Sequence, residues 1–177
     1  MNKTFKLAII SIPLLAFCQF LQSSSIFDFI AISGIKPDIA LIVLIFIAYN
    51  NGSAAGQTIG FFNGLIEDFL SLSSLGFYSL IRTTLGLIYG LVEGSFTIDP
   101  VIIPVIFTLI GTILKKIFEW VVSSIFSLTI LNTILFDSSF WIEILYNCIL
   151  ASFIFAFLKL FKIFSSPGRT ESNGIKW

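Results

Sequence analysis

A few charged residues stand inside apolar sequence, and they are the residues that could do chemistry in this chain. They form two groups, which are Glu67, Asp68 and Arg82, and then Lys115, Lys116 and Glu119. Glu67 and Asp68 cannot act as a glycosidase carboxylate pair, because adjacent side chains on a helix point about 100° apart. Each group contains both signs of charge. In apolar surroundings these residue types therefore favour mutual ion pairing over catalysis.

The sequence lacks the motifs of common enzyme classes. It contains no histidine, which is the usual proton shuttle near neutral pH and the commonest metal ligand. It also has no nucleophile elbow, Walker loop or metal-ligand spacing. Cys18 and Cys148 lie in separate apolar segments and are interpreted as small buried hydrophobic residues. We therefore predict no enzymatic activity, cofactor or metal site, and the formal net charge of zero suggests no nucleic-acid partner.

The elements that must position these charges are membrane helices. The chain has 177 residues, of which 56% are hydrophobic and 11% charged, and its mean hydropathy is +1.02. A soluble domain is roughly a quarter charged, so this chain has too little polar surface to cover a water-soluble core. The composition predicts an all-α, polytopic membrane bundle.

Six apolar segments approach the length of about 20 residues that a spanning helix needs. They cover approximately 7–22, 37–49, 53–70, 76–92, 101–126 and 140–161. Turns are predicted at Asn50-Asn51-Gly52 and at 71–74. The second segment is short, and two interpretations stay open. Either it begins earlier, through 26–35 with a break near Gly34, or 26–30 lies in the membrane interface. We predict one six-helix transmembrane domain over 1–164 and a disordered cytoplasmic tail over 165–177.

The basic residues near the ends of the segments predict the orientation of the chain in the membrane. Basic residues that lie inside when both termini are cytoplasmic are Lys3, Lys6, Lys159, Lys162, Arg169 and Lys176. Only Lys36 then lies in the outer loops, so the distribution predicts cytoplasmic N- and C-termini. Lys3, Lys6 and the small Ser23 would also fit a secretory signal peptide. Repeated membrane crossing favours a retained first helix instead.

Two glycine stripes accompany the first charged group. Glycines recur every four residues at Gly52, Gly56, Gly60 and Gly64, and the series ends in Asp68; Arg82 is followed at the same spacing by Gly86, Gly90 and Gly94. A four-residue step keeps residues on nearly one helix face, and small residues let helices approach closely in lipid. We expect the stripes to face each other or a common neighbour, with Asp68 or Glu67 paired to Arg82. The alternative functions are a docking surface for a partner or a transport pathway.

The second charged group lies on the fifth segment, beside Trp120. Lys115 and Glu119 are one helical turn apart and can pair. One interpretation is neutralisation with snorkelling to the interface, and the other is a basic outer site for a partner or an anionic lipid. Trp141 and Glu143 are predicted only to mark the outer end of the sixth segment.

Several of these motifs resemble a known family. They are Lys36-Pro37-Asp38, Gly52, Gly56, Gly60-Phe61, Gly64-Leu65, Asp68-Phe69-Leu70 and Leu75-Gly76. Together they resemble the rod shape-determining protein MreD family over about 36–90, although Glu67 adds a second acid to the pattern. The resemblance implies a bacterial inner-membrane protein of the elongation machinery that builds the lateral cell wall. It also implies MreC as a partner, alongside MreB, a RodA-type glycosyltransferase and a transpeptidase penicillin-binding protein. The implied fold is similar to the substrate-binding subunits of energy-coupling-factor transporters.

Three functional hypotheses follow. The first is a non-enzymatic scaffold that docks the transmembrane helix of MreC and helps maintain cell shape and peptidoglycan synthesis. The second is a vitamin-binding transport subunit, which requires an outward-open pocket lined by polar and aromatic residues. Residues that could line one are Asp68, Arg82, Lys115, Glu119 and Trp120. The third is a protein of assembly alone, without defined sites.

Overall fold

The computed structural model describes residues 3–71, 73–95, 102–125 and 138–161, and this part of the chain is helical apart from short connections. Its five α-helices are α1 (Lys3–Ser23), α2 (Ile39–Ser71), α3 (Phe77–Leu91), α4 (Ile102–Ile125) and α5 (Ser138–Leu160). Three of them, α1, α2 and α5, are long and apolar enough to cross a membrane. The fold is therefore that of a helical membrane protein. The predicted tail, 165–177, lies outside the described residues.

The connection from α1 to α2 decides where the second helix starts. Ser25–Ile30 form a separate 3₁₀ helix, and an isolated bridge between Ile32 and Ile35 follows. α2 begins only at Ile39, where Asp38 Oδ1 accepts a hydrogen bond from the Leu41 N–H at 2.9 Å. A side-chain acceptor at this position satisfies a free N–H of the first turn. The reading in which the helix extends back through 26–35 is therefore wrong.

α2 contains a chain reversal at Gly52. This residue has φ 84° and ψ 175°, a conformation that glycine adopts without a side-chain clash. Asp38 and Glu67 both contact Arg82, although a straight helix would separate residues 38 and 67 by about 43 Å. α2 is thus a hairpin of a first arm, 39–51, and a second arm, 53–71. The predicted turn is narrower than expected, because Asn50 and Asn51 keep helical hydrogen bonding and Gly52 alone leaves it.

The first arm of α2 is the centre of the bundle. Every residue from 40 to 49 is buried, and a helix that is apolar all round is expected to have such surroundings. Phe46 packs edge-on against Phe155 of α5 with ring centroids 5.0 Å apart. Tyr49 packs similarly on Phe107 of α4 at 4.9 Å. Because neighbouring helices enclose this arm, its short length does not expose its ends to lipid.

Candidate functional site

The two groups of charged residues meet at one end of the bundle, where α2 begins. Asp38 is the junction. Its two carboxylate oxygens each lie 3.1 Å from Nη2 of Arg82 on α3, and Oδ2 lies 2.5 Å from Nζ of Lys115 on α4. The groups that the sequence separates by more than thirty positions are therefore one connected set of charges.

Four further residues complete this set. Glu67 at the end of the second arm contacts Nε of Arg82. Lys115 Nζ lies 3.4 Å from Glu143 on α5 and 3.9 Å from Glu119. Lys116 Nζ lies 3.3 Å from Glu119 and 3.1 Å from Glu143. We call the seven residues the charged network: Asp38, Glu67, Arg82, Lys115, Lys116, Glu119 and Glu143.

The interior of the charged network is withdrawn from solvent. Arg82 is 2% exposed, Glu119 4% and Asp38 6%. Removing a charge from water costs several kcal/mol for each ion, and close opposite charges offset that cost only while both partners are present. With three bases and four acids in contact, each member has an opposite charge beside it. The arrangement therefore ties α2, α3, α4 and α5 together.

Asp68 has a different role from the one expected. It accepts hydrogen bonds from the backbone N–H groups of Gly76 at 2.9 Å, Tyr78 at 2.7 Å and Ser79 at 3.3 Å, and from the Ser73 hydroxyl at 3.1 Å. The first N–H groups of a helix have no partner within it. Asp68 supplies that partner for α3 from the neighbouring helix. Of the two acids predicted to pair with Arg82, Glu67 does so, together with Asp38. Asp68 does not, and caps α3 instead.

Two members of the charged network were not identified as site residues from the sequence. Asp38 was named only within the Lys36-Pro37-Asp38 motif, and Glu143 was predicted only to mark the outer end of the sixth segment. A signal for Asp38 existed, because the predicted topology places it at the same outer end as Arg82. The backbone at Asp38 is also held by α5, since the buried Asn147 Oδ1 accepts its N–H at 2.8 Å. Nothing in the spacing of the sequence indicates this contact.

A cavity of about 370 Å³ opens beside the charged network. Its lining comes from the three residues before α2, from the end of α2 and from the other four α-helices. The lining residues are Gln19, Gln22, Ser23, Lys36, Pro37, Asp38, Glu67, Leu70, Ser71, Tyr78, Arg82, Lys115, Lys116, Glu119 and Glu143. Arg82, Lys115 and Glu119 line it as the transport hypothesis expected. Asp68 and Trp120 do not, and Trp120 is 47% exposed on the outside of α4. Tyr78 is the one aromatic residue among these lining residues.

The glycine stripes bring the second arm of α2 and α3 into backbone contact. A methyl group on Gly56 would overlap the carbonyl oxygen of Gly86, and one on Gly60 would overlap that of Arg82. Gly64 lies in the same way against Ser79, and Gly90 against the Ser53 backbone. The two stripes thus cover each other, so neither offers a free docking face in the isolated chain.

The ends of both stripes differ from the regular pattern. Gly52 is the reversal point of α2 and has left the helical conformation. Gly94 has φ 80° and lies in the turn after α3, which ends at Leu91. Neither residue therefore belongs to a helical face, and the interpretation of Gly94 as part of the second stripe is wrong. A glycine suits both places because the left-handed conformation excludes most side chains.

The described residues also bear on metal and thiol chemistry. Within 3–71, 73–95, 102–125 and 138–161, no group of three or more His, Cys, Asp or Glu residues has the placement of a metal site. Cys18 and Cys148 are free and partly buried. They lie on α1 and α5, apart from the charged network.

Comparison with known proteins provides one match. The family model described as rod shape-determining protein MreD matches residues 3–161, nearly the whole length described above. No curated protein and no solved structure matches the chain.

Proposed function

Because this chain belongs to the MreD family of rod shape-determining membrane proteins, we propose that it is a non-enzymatic scaffold of the bacterial cell-elongation complex. In that role it docks MreC and helps to maintain cell shape and lateral peptidoglycan synthesis. The observation that carries the proposal is the match over residues 3–161. The other proposed partners are further proteins of the cell-elongation complex: MreB, a RodA-type glycosyltransferase and a transpeptidase penicillin-binding protein.

The proposed topology has six spans with both termini in the cytoplasm of a multi-pass inner-membrane protein. The reversal at Gly52 supports it, because the two arms of α2 together with α1, α3, α4 and α5 make six helical segments. The distribution of Lys and Arg also supports it. On this topology the charged network and its cavity face the outer side of the membrane. Similarity to the substrate-binding subunits of energy-coupling-factor transporters stays a prediction.

The docking surface for MreC is proposed to lie on the outside of the bundle. The glycine faces cover each other, and each member of the charged network has an ion-pair partner within the chain. A transmembrane partner therefore meets apolar side chains such as Phe17 of α1, Ile110 of α4 and Phe153 of α5, all exposed. Close packing in lipid relies on van der Waals contact and few polar bonds. Replacing Gly60 by Leu would push the second arm of α2 away from α3, because the Gly60 and Arg82 backbones are in contact. A loss of MreC binding in that variant would therefore reflect a disrupted bundle and would not test docking.

Site-specific photocrosslinking tests this proposal. A photoreactive phenylalanine analogue is placed singly at Phe17, Phe61, Ile110 and Phe153, which sample four helical segments, in cells that express MreC. We expect crosslinks to MreC from one segment or from two neighbouring segments, and none in a strain without MreC. Equal crosslinking from all four positions, or failure of the unmodified chain to co-purify with MreC, would contradict docking.

The cavity is the observation that favours the second hypothesis, a vitamin-binding transport subunit. Its lining is unlike that of most small-molecule sites, which are largely apolar and aromatic with a few polar groups. Here charged residues dominate, and Tyr78 is the one aromatic residue that lines it. A thermal-shift screen against vitamins in detergent tests this function, and a saturable rise in the melting temperature would support it.

A further inference from the structure

Two residues that line the cavity each have a buried polar atom that the chain leaves unpaired. Arg82 and Gln19 both line it, and they are 2% and 5% exposed. Arg82 Nη1 and Gln19 Oε1 nevertheless have no hydrogen-bond partner among the described residues. The other amide atom of Gln19 donates to the Asn63 carbonyl oxygen at 2.9 Å, which fixes the side chain in place. A buried polar group without a partner costs about 1–3 kcal/mol, so the chain holds one donor and one acceptor here at a cost.

The open side of the cavity presents both signs of charge. The side chain of Lys116 is 17% exposed and that of Glu67 is 20% exposed, which makes them more accessible than Arg82 or Asp38. Lys116 already contacts Glu119 and Glu143, and Glu67 contacts Arg82. A ligand that enters the cavity therefore meets one ammonium group and one carboxylate group on this side, beside the side chains of Arg82 and Gln19.

The charge balance restricts which ligand fits. The residues that line the cavity include four bases and four acids, so their formal charges sum to zero: Lys36, Arg82, Lys115 and Lys116, and Asp38, Glu67, Glu119 and Glu143. A ligand with a net charge would add an uncompensated ion in surroundings where that costs several kcal/mol. A ligand that carries one positive and one negative group adds no net charge. It can also serve the unpaired donor and the unpaired acceptor together.

We propose that this cavity binds a small zwitterion that carries a primary ammonium group and an anionic oxygen group. The anionic oxygens lie against the Arg82 guanidinium and Lys116, and the ammonium group donates to Gln19 Oε1 and Glu67. Two sources can supply this chemistry: a free small molecule from the aqueous phase, or the headgroup of an aminophospholipid in the membrane. The proposal does not depend on docking of MreC, so either can fail without the other.

The test uses the full chain, purified in detergent without aminophospholipid, with glycerophosphoethanolamine as the soluble probe, because its single phosphodiester charge is balanced by its ammonium group. We expect saturable binding by titration calorimetry and a rise in melting temperature. Lys116→Gln should weaken binding about tenfold, the loss of one charge-assisted hydrogen bond, and Gln19→Leu should weaken it less. Lys6→Gln is the matched control. It removes a lysine from the opposite end of α1, about 20 Å along the helix from Gln19, and should leave binding unchanged.

Two further arms identify the source and challenge the chemistry. In nanodiscs, stabilisation by phosphatidylethanolamine over phosphatidylcholine that Lys116→Gln abolishes would assign the site to a lipid headgroup, even if the soluble probe binds weakly. Saturable binding of the soluble probe alone would assign it to a free molecule. Glycerophosphocholine lacks ammonium N–H donors and should bind more weakly than glycerophosphoethanolamine. Equal binding of the two probes, or no binding in any arm, would overturn the proposal.

Discussion

The second arm of α2 meets α3 in two different ways along one interface. Around Gly60 the contact is between backbones, with no room for a methyl group. At the end of the same interface, Glu67 and Arg82 meet as opposite charges. The first region should tolerate changes of electrostatics but no increase in size. The second should tolerate modest changes of size but no loss of charge. A single helix pair thus combines a steric contact with an ionic one.

Loss of the shared carboxylate at Asp38 should have the largest effect. Asp38→Asn keeps the size of the side chain but leaves Arg82 and Lys115 without their common partner. Breaking a buried ion pair by removing one partner costs about 3–5 kcal/mol, and we expect a loss of unfolding free energy of that order in detergent. Asp28→Asn is the control, because its carboxylate pairs with Lys36 while 63% exposed. Exposed pairs contribute about 0–1 kcal/mol. If Asp38→Asn and Asp28→Asn lost equal unfolding free energy, the contacts of Asp38 with Arg82 and Lys115 would not be a stabilising buried ion pair.

An added methyl group tests the steric region. Gly60→Ala places a Cβ against the Arg82 carbonyl oxygen, and we expect a loss of about 1–3 kcal/mol, as for other overpacked interiors. Ala54→Val is the control, since Ala54 is exposed on the same arm; its effect should stay within about 0.5 kcal/mol. Thermal unfolding of both variants in one detergent makes the comparison. A Gly60→Ala variant as stable as the parent would show that the backbones do not touch.

Removal of the cap on α3 should have an intermediate effect. Asp68→Ala deprives the N–H groups of Gly76 and Tyr78 of their acceptor, and loss of a helix cap costs about 0.5–2 kcal/mol.

A pair of double-mutant cycles separates this cap from the ionic region. Glu67 and Arg82 should show a coupling energy of about 0.5–3 kcal/mol, as residues in contact do. For Asp68 and Arg82 we expect coupling below about 0.5 kcal/mol, as for residues without a shared bond. A larger coupling for Asp68 than for Glu67 would restore Asp68 as the partner of the arginine.

The smallest effect is expected for a neutral hydrogen bond on the side of α3 that faces α4. The Tyr89 hydroxyl donates to the Phe107 carbonyl oxygen at 2.6 Å. Tyr89→Phe removes this bond with little change in shape, and neutral hydrogen bonds contribute about 0.5–1.5 kcal/mol. In thermal unfolding, the melting temperature of this variant should therefore be well above that of Asp38→Asn. If Tyr89→Phe lost as much unfolding free energy as Asp38→Asn, charge would not explain why the variants differ in stability.

Local patterns in the sequence determined the helical membrane class, the helix limits to within a few residues and the family. A run of apolar residues needs a membrane or a core whatever its neighbours are, and glycines four apart share a face on any helix. The structure places that face of the second arm against α3. The turn predicted at Asn50-Asn51-Gly52, between the second and third segments, is likewise confirmed at Gly52, because glycine alone adopts this backbone conformation without a side-chain clash.

Only the tertiary structure decided which charges meet. Asp38, Arg82, Lys115 and Glu143 lie on four separate helical elements, and their contacts depend on how those elements pack around the buried first arm of α2. Sequence spacing describes neighbours on one helix and carries no information on the rotation of another helix. For the same reason it could not show that Asp68 turns to the start of α3 or that Gly94 lies beyond its end. The sequence shows which residues are charged, but long-range packing decides which of them form pairs.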